Sequence, residues 1–260
     1  MNNTEFLSGN ECFTLNGISS PKRVIDFWRW MGSDLNDNLT RAALGEFIVA
    51  SALGDSIAGE RRSGWRVFDI LTQYGCKVEV KTSAYRQTWK QRKPSSLVFD
   101  VAQKIDWECG EDAPKRHADV YVFCVFNNDS DEVSPLDLNA WDFYVAATAD
   151  MDVILGKQKT ATLAALKKRL PLRMTGYTGL AMTIFDTYYR NNWRNGWMQI
   201  VTLKQYLENP EAIVKSAVAG DYTSVNMGNG QYAVIIDETE WTMLRQALVL
   251  CMEHPEWTTK

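Results

Sequence analysis

Glu79 and Lys81 have the residue types and the spacing needed for hydrolytic metal chemistry. They alternate with Val78 and Val80, and side chains on a β-strand alternate between its two faces. We therefore expect Glu79 and Lys81 on one face of a strand and the two valines on the other. A carboxylate in that position can hold a cation, and the lysine beside it can orient or activate a water molecule.

Asp69 is a second carboxylate that could join this pair. It ends the mainly apolar run 65–69, and a short polar turn separates it from Glu79. If the two strands pair as a hairpin, the two carboxylates lie side by side and repel each other unless a cation lies between them. Magnesium suits such a pair, because it typically binds one or two protein carboxylates and fills its other positions with water and substrate phosphate.

Glu46 is the least obvious candidate, and its surroundings single it out. It is the only charged residue between Arg41 and Asp55, and its helical neighbours three and four positions away are all apolar. A helix that is apolar nearly all round is a buried helix. A carboxylate on such a helix must be paired, protonated or bound to a metal, and the predicted site would supply that partner.

Each of these residues also has an ordinary structural interpretation. An isolated Glu-x-Lys in a strand is common, Asp69 could be a turn residue at a strand end, and Glu46 could be a buried glutamate bonded to backbone groups. The occurrence of all of them in the order helix-Glu, strand-Asp, strand-Glu-x-Lys favours the catalytic interpretation.

This order resembles the PD-(D/E)XK superfamily of restriction-endonuclease-like nucleases. The resemblance rests on Glu46, Asp69 and the run 79–83 (Glu-Val-Lys-Thr-Ser), and it extends over about residues 25–190. Phe68 precedes Asp69 where the family name has proline, a position at which the family is tolerant. The fold that it implies is mixed α/β, with a restriction-endonuclease-like core in which helices flank a mixed central β-sheet.

The resemblance also implies roles for the site residues. Asp69, Glu79 and the carbonyl of Val80 would bind Mg²⁺, for which Mn²⁺ could substitute. Lys81 would position the attacking water, and Glu46 would assist a metal ion or its water.

A basic and aromatic segment, 85–93, directly follows the predicted site. Such a mixture suits a nucleic-acid backbone, with cations on the phosphates and an amide near the scissile group. The alternative is a solvated polar loop. The predicted nucleic-acid contacts are Arg86, Gln87, Lys90, Arg92 and Lys93.

The elements that must position these residues can be predicted from periodicity and turn signals. The pattern predicts a helix over 40–53, capped by Asn38 or Thr40 and ended by Gly54. It predicts strands over 65–71, 76–82, 97–102, 119–126 and 141–148, and helices over 160–169 and 179–189. A turn at 72–75 and an acidic loop at 127–139 complete this part.

A polar stretch at 191–196 predicts a boundary between a nuclease domain, 1–197, and a small domain, 198–260. The second pattern is αββα: a helix over 203–219, strands over 222–226 and 231–236 around a glycine turn, and a helix over 238–252. Its order and spacing weakly resemble a Phd/YefM-type antitoxin domain. That resemblance implies a homodimer through this region, while an αββα cap that completes the main fold is the alternative.

Composition and net charge restrict the kinds of protein and partner that these interpretations allow. The chain has 260 residues, 45% of them hydrophobic, and a net charge of −4. The region 198–260 holds four Lys/Arg and eight Asp/Glu, so 1–197 holds 24 of each and any basic surface must be local. No signal peptide, membrane segment, Walker loop or dinucleotide-binding glycine motif is present, which predicts a cytoplasmic protein without a nucleotide cofactor.

The cysteines and histidines carry no recognisable site. The five cysteines are scattered, without a CxxC pair, and Cys76 and Cys124 fit a core. His117 and His254 are expected at the surface, and no serine or cysteine nucleophile accompanies either of them.

The leading hypothesis is therefore a Mg²⁺-dependent endonuclease that acts on DNA, expected to be double-stranded, in restriction or defence. The alternative is a non-catalytic binding or regulatory protein, antitoxin-like or immunity-like, with a vestigial nuclease fold. A repair or junction nuclease is a third possibility within the enzyme class.

Overall fold

A five-stranded mixed sheet lies at the centre of the fold. The computed structural model describes residues 6–54, 62, 66–107, 109–110, 112–128, 130, 132–194, 199–202, 208, 223–228 and 231–235, with side chains as far as 191 and at 208. The strands, in chain order, are β1 (Cys12–Leu15), β2 (Ile18–Arg23), β3 (Ile70–Leu71), β4 (Lys77–Ala84), β5 (Val98–Asp100), β6 (Val120–Phe126), β7 (Trp141–Ala147), β8 (Thr160–Thr162), β9 (Arg173–Thr175), β10 (Gln199–Thr202), β11 (Thr223–Gly228) and β12 (Gln231–Ile235). The helices are α1 (Val24–Gly32), α2 (Asn38–Leu53), α3 (Thr148–Leu155), α4 (Leu163–Arg169) and α5 (Leu180–Arg194).

The central sheet has the strand order β3-β4-β6-β7-β9. Only β4 and β6 pair in parallel, and the other three pairs are antiparallel. Every residue of β6 is buried, as expected for a central strand covered on both faces. The predicted class, mixed α/β with a mixed central sheet flanked by helices, is confirmed.

Two apolar clusters cover the two faces of the sheet. On one face Val78 and Val80 pack with residues of α2 and α5, including Ile48 and Ile184. The opposite face carries Phe123, which packs with residues of β5, β8, α3 and α4. Glu79 and Lys81 alternate with the two valines, so they project towards this second cluster.

The predicted helix over 40–53 is confirmed, but its start and its cap differ from the prediction. Helix α2 begins at Asn38, and Asp37 caps it by accepting a hydrogen bond of 2.9 Å from the Leu39 N–H. Gly54 ends the helix with φ +126°, a backbone conformation that side chains other than glycine rarely adopt. The cap is therefore one residue before the first predicted candidate.

Two predicted elements are wrong in part. In 65–71 the described residues form a strand only at Ile70–Leu71, and 66–69 is a bend. The predicted helix over 160–169 begins as strand β8, because that segment pairs with β5, and becomes helical after Thr162, which caps α4. Helix α5 continues to Arg194, into the predicted boundary stretch 191–196, and the division into two domains stays a prediction.

Strands β10, β11 and β12 form a separate three-stranded sheet. The predicted strands over 222–226 and 231–236 correspond to β11 and β12, which pair antiparallel. Strand β10, which pairs in parallel with β11, was not predicted. The predicted helices over 203–219 and 238–252 lie outside the described residues apart from Glu208, and dimerisation through this region stays a prediction.

Other sequence predictions concern single residues and the membrane. Cys76 and Cys124 are buried, as predicted. His117 is half-buried rather than at the surface, with its Nε2 atom 2.9 Å from the Lys104 carbonyl oxygen, and His254 lies outside the described residues. Among the described helices, none is both long enough and apolar enough to cross a bilayer.

Candidate active site

The site lies at an edge of the central sheet that strand β3 leaves open. Strand β3 pairs only with the first residues of β4, at Ile70 with Val78 and Leu71 with Lys77. The bend at 66–69 then takes the chain away from the sheet, so the remaining residues of β4 have no strand partner on this side within the described residues. The backbone groups of Val80 face this edge.

Asp69 fills the place of the missing strand partner. Its N–H donates to the Val78 carbonyl at 3.0 Å, and its Oδ2 atom accepts a hydrogen bond of 2.7 Å from the Val80 N–H. In a strand, the N–H and C=O of one residue point to the same neighbour. The Val80 carbonyl, predicted as a metal ligand, therefore lies on the same edge as the Asp69 carboxylate.

The electrostatic surroundings of Asp69 oppose its ionisation. Burial, then the charge of Glu79 and then that of Glu46 raise the pKa of Asp69 from 3.8 to about 6, although the Val80 N–H and Lys81 act in the opposite direction. Asp69 is thus close enough to both other carboxylates to sense their charge. The chain brings the three predicted acidic residues together.

Glu79 is 1% exposed and is held by two ammonium groups. The Nζ atom of Lys81 lies 2.5 Å from Glu79 Oε1, and the Nζ atom of Lys104 lies 2.6 Å from the same oxygen. Burial by itself would lower the pKa of Lys81, but Glu79 and then Asp69 raise it above its ordinary value. Lys81 is therefore an ammonium group at neutral pH, suited to donating hydrogen bonds rather than accepting a proton.

Glu46 reaches the site from helix α2 because the helix passes very close to β4. A Cβ atom at Gly45 would lie 2.2 Å from Thr82 Oγ1, so only glycine allows this approach. The Glu46 carboxylate, 15% exposed, forms a two-pronged ion pair with Arg62, at 2.5 Å to Nε and 2.8 Å to Nη2. Glu46 thus approaches from the layer that contains α2, on the face of the sheet opposite to Glu79, and its charge acts on Asp69 at the edge.

The three carboxylates lie near three cationic side chains, those of Lys81, Lys104 and Arg62. Within the described ranges, no group of three or more His, Cys, Asp or Glu side chains is arranged so that it could hold a metal ion. The donor chemistry nevertheless fits Mg²⁺, since two carboxylates and a backbone carbonyl offer only oxygen ligands.

Four neighbours of the site were not predicted from the sequence. Lys104 and Arg62 form the ion pairs described above, across 25 and 16 residues of chain. Tyr121 lies opposite Glu79 in the β4–β6 register, and burial followed by the charge of Glu79 raises its pKa. Asp100, at the end of β5, adds a negative charge that raises the pKa of Lys81. None of the four has a local sequence signal.

The predicted nucleic-acid contacts lie on the segment that follows β4, along a cavity of about 670 Å³. All five of the predicted residues line this cavity. Lys90, Arg92 and Lys93 are exposed, whereas Arg86 and Gln87 are half-buried.

Gln87 is held within the protein rather than projecting towards the carboxylates. Its Oε1 atom accepts a hydrogen bond of 3.2 Å from Arg41 Nη2, and its Nε2 atom donates to the Ala84 carbonyl at 3.0 Å. These bonds tie the basic segment to the first turn of α2. In this structure Gln87 supports the wall of the cavity, and its predicted place near the scissile group stays a prediction.

Comparison with known proteins adds no relative from which a role could be transferred. No protein-family model, no curated protein and no solved structure matches the chain. The chemistry of the site must therefore be argued from its own residues.

Proposed function

We propose that the chain is a Mg²⁺-dependent nuclease that hydrolyses DNA phosphodiester bonds, and that it acts as an endonuclease in restriction or defence. The observation that carries the proposal is the Asp69 carboxylate at the open edge of β4, which is close enough to Glu79, Glu46 and Lys81 for their charges to act on its pKa. The restriction-endonuclease-like resemblance is the basis for the biological setting, and the site is the basis for the chemistry.

Some residues at the edge would bind the metal ion, and Lys81 would position the attacking water. Asp69, Glu79 and the Val80 carbonyl would hold the ion, with Glu46 beside it. When bound, Mg²⁺ would offset negative charge on the phosphate and lower the pKa of a coordinated water. The Lys81 ammonium donates hydrogen bonds, and so it can orient the attacking water and stabilise the negative charge that develops on the phosphate oxygens.

Lys104 and Arg62 hold the carboxylates in the metal-free protein. Lys104 is 40% exposed and Arg62 57% exposed, so both can turn to solvent when a cation occupies the site. Lys81 is 19% exposed and has less freedom to leave. Lys81 is therefore held more firmly than Lys104, as a water-positioning group requires.

The experiment is plasmid cleavage by the purified full chain in Mg²⁺, with and without a chelator. The expected result is chelator-sensitive conversion of supercoiled DNA to open-circular and linear forms. Asp69→Asn and Lys81→Ala should slow it by at least about 10²-fold, while Asp112→Asn and Lys157→Ala, at exposed positions, should not.

Two results would contradict the proposal. One is the absence of chelator-sensitive cleavage on double-stranded, single-stranded and branched DNA. The other is cleavage that persists in Asp69→Asn and Lys81→Ala, which would indicate a contaminating nuclease. Either result favours the non-catalytic alternative, a binding or regulatory protein with a vestigial nuclease fold.

A further inference from the structure

The cavity beside the basic segment has the size and the walls of a ligand pocket. Its volume of about 670 Å³ falls within the roughly 300–1,000 Å³ of typical small-molecule sites. Three parts of the chain line it: the segment 86–94, the residues Asp34 and Asn36 before α2, and the start of the acidic loop around Asn128. It is thus a concave feature rather than a flat basic patch.

One wall of the cavity is strongly cationic. Arg86, Lys90, Arg92 and Lys93 all line it. In the described part of the chain, no salt bridge takes up the charges of Lys90, Arg92 or Lys93. Among the described residues of the lining, Asp34 is the only carboxylate, and its Oδ1 atom already accepts the Asn36 N–H at 3.0 Å. The cavity therefore favours an anionic ligand.

The same segment carries an aromatic ring that also lines the cavity. Trp89 is 56% exposed, so its indole is available for stacking. Phosphate-binding cations and a stacking ring together match one nucleotide, with its phosphate and the face of its base.

Hydrogen bonds hold the walls in place before any ligand arrives. Asn128 accepts the Arg86 N–H at 2.9 Å and donates to the Arg86 carbonyl at 3.0 Å. The Gln87 N–H donates to Gln91 Oε1 at 2.6 Å, and Gln91 donates in turn to Ser95 Oγ at 2.8 Å. A preformed pocket binds with a smaller loss of conformational entropy than a loop that must first fold.

Helix α2 connects the wall of the pocket to the carboxylate site. Arg41 bonds to Gln87 at the pocket wall, and Glu46 lies five residues further along the same helix. Five helical residues rise by about 7–8 Å. One DNA strand is therefore long enough to contact both the pocket and the carboxylates.

We propose that this cavity binds one unpaired nucleotide of the DNA strand whose backbone lies at the carboxylate site. A base that stacks on Trp89 inside the cavity cannot remain in a base pair, so it must be unpaired already or be extruded. The substrate class is then DNA with an unpaired nucleotide, such as a bulge, flap or gap, in preference to continuous duplex. This inference rests on the proposed nuclease function, whose substrate it narrows.

The experiment measures binding of the full chain by fluorescence anisotropy in the presence of EDTA, so that cleavage does not interfere. The probes are two labelled duplexes of one sequence, one fully paired and one with a single bulged nucleotide. Base stacking contributes about 1–3 kcal/mol, so we expect at least fivefold tighter binding to the bulged duplex.

The variants separate stacking from general effects on the chain. Trp89→Ala should bind the two duplexes equally, and Trp89→Phe should restore part of the preference because it keeps a stacking ring. Trp107→Ala is the matched control, since Trp107 is 80% exposed and does not line the cavity. It should retain the full preference.

Each outcome bears on a different proposal. Equal affinity of the wild type for both duplexes, a preference that survives Trp89→Ala, or no DNA binding at all overturns the pocket assignment. Plasmid cleavage in Mg²⁺ without a preference for the bulge would leave the nuclease proposal standing and remove this one. A Trp89-dependent preference without any cleavage would support the pocket and refute the nuclease.

Discussion

Asp69→Asn should make the metal-free protein more stable at neutral pH, although it removes a residue of the proposed active site. The amide oxygen of asparagine can still accept the Val80 N–H, so the variant keeps the backbone contact and loses only the charge. The pKa of Asp69 is raised from 3.8 to about 6, chiefly by burial and then by Glu79. Ionisation of Asp69 in the folded protein is therefore unfavourable.

The magnitude and the sign follow from linkage between protonation and folding. A rise of that size corresponds to about 3 kcal/mol, which is an upper bound because Asp69 is partly exposed. The folded state binds the Asp69 proton more tightly than the unfolded state. The stabilisation is complete below about pH 4 and is lost as the pH rises through about 6. Asp69→Asn should thus gain up to about 3 kcal/mol over the wild type above about pH 6, and nothing below about pH 4.

The assay is urea unfolding of both proteins in EDTA, followed by tryptophan fluorescence, across this pH range. The quantity of interest is the difference in the free energy of unfolding between variant and wild type. Asp112→Asn, at an exposed carboxylate, should give a difference that is flat with pH. Added Mg²⁺ should stabilise the wild type and not Asp69→Asn, because only a protein that binds the ion gains stability from it. A flat difference for Asp69→Asn, or a variant less stable than the wild type at about pH 7.5, would refute the reasoning.

The remaining predictions concern the neighbours of Asp69. Lys81→Ala should lower the rate of plasmid cleavage by about 10²–10⁴-fold, because the water loses its positioning group, and an unchanged rate would contradict this role. Lys104→Ala should lower the Mg²⁺ concentration needed for half-maximal cleavage, since its ammonium competes for the same carboxylate oxygen; an unchanged or higher requirement in a Mg²⁺ titration would contradict the competition. Gly45→Ala should destabilise the fold by about 1–3 kcal/mol in urea unfolding, although alanine favours helices by about 1 kcal/mol, because the new Cβ meets Thr82 Oγ1. Adding Thr82→Ala should restore the stability, and a double variant no more stable than Gly45→Ala would exclude this contact as the cause.

The predicted core of the site follows from strong local patterns. Alternation with Val78 and Val80 was enough to place Glu79 and Lys81 on one face of a strand, because a half-buried strand requires that period. Glu46 could be identified because it is the single charged residue of an apolar helix, and a buried charge needs a partner. Both signals depend on residues within one turn or one strand, which is the range over which sequence patterns are informative.

Lys104 and Arg62 could not be predicted in the same way. Lys104 is 25 residues from Glu79 in the sequence, and Arg62 is 16 residues from Glu46. Each pair forms only because of the way the chain folds between the two residues, and the intervening sequence shows no periodic pattern that would predict this contact. The same limit explains strand β8, where pairing with β5 outweighs a helix-like composition. In both cases the contact is with a residue or strand that is distant in the sequence, and the local sequence alone does not indicate which one.

The N-terminal hairpin, by contrast, has a turn sequence from which it could have been predicted. Strands β1 and β2 pair at Leu15 and Ile18 around a two-residue turn, Asn16-Gly17. Both turn residues have positive φ, +51° and +79°, as expected of the tight turns for which Asn-Gly is the preferred sequence. The hairpin was missed because its exposed strands lack the apolar alternation that marks a half-buried strand.

Whether a divalent ion binds at the open edge of β4 can be tested by a crystal structure of the full chain soaked in Mn²⁺. The proposed function predicts an anomalous peak in contact with the carboxylates of Asp69 and Glu79 and the carbonyl of Val80, with the Lys104 ammonium moved away from Glu79. A map without a peak at this edge, or with Mn²⁺ only at other surface carboxylates, would contradict the metal site and the nuclease assignment that depends on it.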